Sequence, residues 1–115
     1  MPDEIKVQIT NDVAFGNPVY QTATPWLVDQ AKADSTNTMP AIGLFVGDQI
    51  VKTNGIVQNG KWNWTPGNEV YVSAATAGVL TQTAPSAGGT FAQVIGIALD
   101  PISILLNVGQ YMKAN

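Results

Sequence analysis

The chain opens on a strict alternation of apolar and polar positions. Ile5, Val7 and Ile9 fall on one face, and Lys6, Gln8 and Thr10 on the other. That period of two predicts a half-buried strand. Asn11-Asp12 interrupts it before Val13-Ala14-Phe15. Leu44-Phe45-Val46 and Gln49-Ile50-Val51 flank Gly47-Asp48, which reads as two short strands and a turn. Val70-Tyr71-Val72-Ser73 and residues 79–83 read as strands, with a loop over 74–78. After a loop over 85–89, residues 91–99 and 102–108 read as strands flanking Asp100-Pro101. Asn54-Gly55 and Asn59-Gly60 are hairpin candidates, because Asn-Gly supplies the positive φ values of a type I′ turn. Only Ile56-Val57-Gln58 separates them, so one alone can head a full hairpin. Asn59-Gly60 is preferred: Lys61-Trp62-Asn63-Trp64 alternates after it and sets both Trp on one face of a strand. Thr65-Pro66-Gly67-Asn68 has Pro and Gly where a β-turn takes them. One helical candidate is present. Thr24-Pro25 offers an N-cap and a first helical residue for a turn within 26–33, although Leu27 stands where a capping box would place Glu.

The pattern also repeats. Gly16-Asn17-Pro18-Val19-Tyr20 matches Gly67-Asn68-Glu69-Val70-Tyr71 at an offset of 51, and Ile42-Gly43 matches Ile95-Gly96 at 53. Asn54 and Asn107 keep the second offset, so two residues are inserted between Tyr71 and Leu80. This predicts an all-β chain with an internal two-fold repeat over about residues 14–60 and 65–110. Each lobe opens on a Gly-Asn turn, and its Ile-Gly pair marks a bend or a close backbone approach. Leu27 falls opposite the strand-like Leu80, which argues against the helix.

Composition narrows the chemistry. A chain of 115 residues is about one domain, and only 11% of it is charged, against about 25% in ordinary domains. It has no Cys, His or Arg. Thiolate and Ser-His-Asp nucleophiles are therefore excluded, as are zinc sites of the usual kind. Five scattered lysines and a net charge of −3 argue against direct nucleic-acid binding, which needs a basic stripe. The eight carboxylates sit mostly in turn contexts, where Asp serves local hydrogen bonding. No enzyme and no cofactor is expected. Residues 91–106 are the longest apolar-leaning stretch, broken by Gln93, Gly96, Asp100, Pro101 and Ser103, so no membrane span is expected. With no signal segment in the first residues, the expectation is synthesis as a soluble cytoplasmic protein. Trp26, Trp62 and Trp64 are candidates for core or subunit contact, with sugar stacking as the alternative for the Trp62–Trp64 pair.

A resemblance rests on Met39-Pro40-Ala41-Ile42-Gly43, Gly55-Ile56-Val57, residues 62–73, Gly78-Val79-Leu80-Thr81-Gln82-Thr83-Ala84-Pro85 and Gln93-Val94-Ile95-Gly96-Ile97-Ala98-Leu99. In that order, across roughly 14–108, they resemble a domain of tailed-bacteriophage virion proteins. The domain is found in small capsid decoration (cement) proteins and at the ends of head- and tail-fibre proteins. The resemblance implies a small β-barrel or β-sandwich, usually a homotrimer, on the outer capsid surface. There it would bridge neighbouring major capsid subunits, with no catalytic residue to carry over. The alternative it leaves is a tail-fibre or baseplate module that binds a host surface glycan. Residues 1–13 lie outside the familiar part. The single β-domain is then 14–115, and Ile5, Val7 and Ile9 sit on a strand that is either an edge of the barrel or an arm pairing with a partner.

Overall fold

The computed structural model describes residues 4–10, 12–109 and 111–113. Residues 1–3 of the expected arm and Asn11 of the first turn lie outside them. Among the described residues, twelve strands follow in chain order: β1 (Glu4–Lys6), β2 (Gln8–Ile9), β3 (Pro18–Gln21), β4 (Leu27–Gln30), β5 (Ala41–Phe45), β6 (Ile50–Lys52), β7 (Asn54–Gln58), β8 (Glu69–Val72), β9 (Leu80–Thr81), β10 (Phe91–Asp100), β11 (Ser103–Asn107) and β12 (Tyr111–Lys113). They build two sheets, ordered β1-β6-β5-β3-β4-β2 and β7-β11-β10-β8-β9, with β12 pairing β10. The fold is all-β, and the first sheet curls into a half-barrel. Its closing element is the N-terminal strand: β1 pairs with β6 at one edge, the chain turns through Val7, and β2 pairs with β4 at the other.

Read in order, β1, β6, β5, β3 and β4 recur as β7, β11, β10, β8 and β9. The duplication is in the backbone as well as the sequence. Gly16 and Gly67 both hold φ near +87° (+86 and +88), and their N–H groups donate to Phe45 O and Ala98 O at 2.7 and 2.8 Å. Phe45 and Ala98 answer by donating to Asn17 O and Asn68 O. Both Ile-Gly pairs are β-bulges: the ladder skips Ile42 between Gly43 and Ala41, and Ile95 between Gly96 and Val94. The glycine is required in each. A Cβ on Gly43 would run into Lys52 O and one on Gly96 into Leu105 O, with Val51 Cγ1 and Ile104 Cγ2 at 2.8 and 2.9 Å behind. The repeat is wider than its sequence trace. β1 is the counterpart of β7, so the first unit begins at the N-terminal strand, which is an integral edge of its own sheet.

Three expected elements differ. The segment after Thr24-Pro25 forms strand β4, as the repeat requires, and Trp26 sits in the turn before it with φ +62°. Neither Asn-Gly pair heads a hairpin. Asn54-Gly55 begins β7, all of which pairs with β11. Residues 59–64 form no strand: Asn59 and Trp64 donate to Ile102 O and Pro101 O at the tip of the β10–β11 hairpin. Folding back on β7 would have drawn Trp62 and Trp64 away from the apolar clusters they cover.

The core has three parts. Val7, Val13, Val19, Val28, Phe45 and Val51 fill the first lobe. Val70, Ala98 and Ile104, under Trp62, Trp64 and Leu80, fill the second. Here bulk has been exchanged between equivalent positions: large Phe45 with small Val13 in one lobe, small Ala98 with large Trp64 in the other. The third cluster joins the lobes. The outward face of the first sheet (Ala41, Leu44, with Tyr20 and Val46) meets the inward face of the second (Val57, Val72, Ile95, Leu106). The lobes therefore stack back to front.

Candidate interaction surfaces

Where the lobes meet, a groove of about 260 Å³ runs between Phe15, Gly16 and Asn17 on one side and Asn59, Lys61, Trp62, Trp64 and 78–80 on the other. Its walls are held by short bonds. Asn17 Nδ2 donates to Gly78 O at 3.0 Å and Gln30 Nε2 to Asn17 Oδ1 at 3.1 Å, while the Gly78 N–H donates to Ala31 O. Phe15 and Val79 stand exposed at the rim. Trp62 and Trp64 are half-buried, their ring centroids 5.7 Å apart and planes tilted by 47°. Burial alternates through 61–64, so both Trp share a face as the sequence indicates, without strand pairing. Trp64 Nε1 is buried and has no hydrogen-bond partner among the described residues. A second depression, of about 320 Å³, is lined by small side chains such as Ser73, Ala75, Thr81 and Thr90.

The other candidate interface residues are dispersed. Trp26 is 65% exposed at the β3–β4 turn, and its carbonyl accepts from the Gln8 N–H. Val7 is buried in the first lobe, and Ile5 and Ile9 pack half-buried against the same cluster. The alternating face of the first strand thus serves the chain's own core. A third surface, not singled out by sequence, is the outward face of the second sheet. Ile56, Leu105 and Ile97 lie in one row across β7, β11 and β10, exposed by 54, 40 and 37%, and the row ends at Glu69. The Tyr71 hydroxyl donates to Glu69 Oε1 at 3.1 Å. Desolvation, then the hydrogen bond and charge of Glu69, raise the Tyr71 phenol above its ordinary value of 10.0. The sequence carried half of this signal: the offset of 53 sets Leu105 in the place of Lys52, whereas Ile56 takes the place of Glu4 only through strand pairing.

Among the described residues there is no cluster of three metal-ligating side chains, and no helix is long and apolar enough to cross a membrane. No family model matches the chain, and neither curated proteins nor solved structures give a match.

Proposed function

We propose that this chain is a virion structural protein: a decoration protein that self-associates on the outer surface of a tailed-phage capsid and bridges neighbouring major capsid subunits. The observation that carries the reading is the coincidence of resemblance and architecture. The segments that look like the virion domain include those that build this chain's recurrent turns and bulges: Gly67-Asn68, Ile42-Gly43 and Ile95-Gly96. A stacked pair of β-lobes with apolar outer patches works through shape and burial, which need none of the side chains this sequence lacks. An acidic chain is also better placed outside a capsid than against packaged DNA. Electron microscopy of the phage particle, with the chain tagged, tests this. Regular density on the head lattice is expected; density on the tail alone, or absence from the particle, refutes it.

The groove at Trp62 and Trp64 favours a second reading, a fibre or baseplate module that binds a host glycan, because aromatic rings, Asn59 and Lys61 converge there. Glycan-array binding that is lost in Trp62→Ala with folding intact would support it over decoration.

A further inference from the structure

The lobes of this chain are equivalent in backbone but unequal in cover. On the first lobe the outward face, Tyr20, Ala41, Leu44 and Val46, is packed beneath the second lobe, and Leu44 is fully buried. The repeat places Tyr71, Val94, Ile97 and Leu99 at the same positions of the second lobe, where Ile97 and Leu99 stand open to solvent. The chemistry has not relaxed with the loss of cover. All four remain apolar or aromatic. Where the first lobe sets Glu4 opposite Lys52, the second sets Ile56 opposite Leu105. An outward strand face that needs only solvent keeps polar residues at such positions.

The geometry points to this face, centred on Ile56, Ile97 and Leu105, as the surface on which copies of this chain associate with one another. What covers the equivalent face inside the chain is the concave inner face of the second lobe. In another copy that inner face is already filled by its own first lobe, and the first lobe's interior is closed around Val19, Val28 and Val51, each fully buried. Head-to-tail continuation of the internal packing is therefore shut. Elsewhere Phe15 and Val79 flank the groove and Trp26 stands singly at a turn, so the apolar strand face that matches the patch in extent is the same patch on another copy, an arrangement that closes about a symmetry axis. A shallow depression of about 190 Å³ among Val94, Gly96, Ile97 and Leu105 gives the opposing side chains a seat. Glu69 and Asn107 at its edge supply the polar rim such interfaces carry. An anionic membrane is disfavoured as the occupant, because the row ends in a carboxylate and the chain carries a net charge of −3. The inference rests on the self-association in the reading above and is independent of the capsid.

The repeat supplies its own fold-preserving test. The double variant Ile56→Glu/Leu105→Lys installs the Glu4–Lys52 pair that the first lobe already accommodates at this register. Sedimentation velocity of the full chain at micromolar concentration should show the wild type as a dimer or trimer. The variant should be a folded monomer, its association weakened roughly tenfold or more. Asp12→Asn, at an exposed turn of the first lobe, should leave assembly unchanged. As a second measurement, Ile97→Cys puts one thiol into a chain without cysteine, and oxidation should link copies covalently. A wild type that stays monomeric, or a variant as associated as the wild type with no cross-linking through Cys at 97, overturns the inference. An assembled protein absent from the phage head would instead refute decoration and leave this interface standing.

Discussion

Gln93 is the polar residue on which the joint between the lobes turns. It is buried in β10, 1% exposed. Its carboxamide accepts from the Ala41 N–H and donates to Ala41 O and Gly109 O, each at 2.8 Å. One side chain thus ties β5 of the first lobe to the second lobe and to the segment leading into β12. Gln93→Met keeps the length and removes the bonds. Three hydrogen bonds at about 1 kcal/mol net each, plus about 1–3 kcal/mol for leaving the Ala41 N–H without its acceptor, set the loss. Burial of the more apolar thioether returns about 1–2 kcal/mol. The balance is a destabilisation of about 3 kcal/mol. In urea, with a slope of about 1–3 kcal/mol per molar for a domain of this size, the midpoint should fall by roughly 1–3 M at unchanged slope. A fall of less than about 0.5 M at the same slope would refute the assignment of Gln93 as the tie. A reduced slope together with early loss of second-lobe signal would show that the lobes had come apart.

Gly43→Ala and Gly96→Ala should each cost about 2–4 kcal/mol in thermal unfolding, and by similar amounts, because each Cβ meets the same backbone carbonyl of its lobe; a neutral result at either site would disprove the bulge argument. Trp64→Val should cost about 1–3 kcal/mol by uncovering the cluster around Ala98, and adding Ala98→Phe should recover part of that loss; a double variant no better than Trp64→Val would deny the exchange of bulk. The Tyr71 phenol, followed by its phenolate absorbance, should titrate above 10.0, and Glu69→Gln should lower it only in part, since desolvation is the larger cause. Because the folded value is raised, this contribution to stability is complete below the unfolded value near 10 and is lost as pH climbs through the folded one. Stability that rises across that alkaline window in the wild type, relative to Tyr71→Phe, would contradict the shift.

The sequence by itself determined most of the strands, the Gly-Asn turns and the two-fold repeat. Those signals are local, and each rests on a steric demand visible within a few residues. Gly16 and Gly67 hold positive φ, Gly43 and Gly96 leave room for a carbonyl, and Ile5, Val7 and Ile9 alternate toward a core. Because the glycine demands are each met twice, at offsets of 51 and 53, the repeat even corrected the helical reading of 26–33. It set the start of the first unit too late, since the β1–β7 equivalence is carried by strand pairing and not by shared residues. Tertiary structure alone decided how the two units use their faces. Trp62 and Trp64 alternate as a strand would, yet burying two large rings against the core outweighed a hairpin with β7. Gln93 reads as a break in an apolar run until Ala41, 52 residues away, is brought to its amide. Above all, equivalent faces became unequal when one lobe was laid over the other: stacking two copies of a unit back to front buries one outward face and leaves the second bare. No local pattern encodes which face is left, because that depends on where the chain ends its own packing.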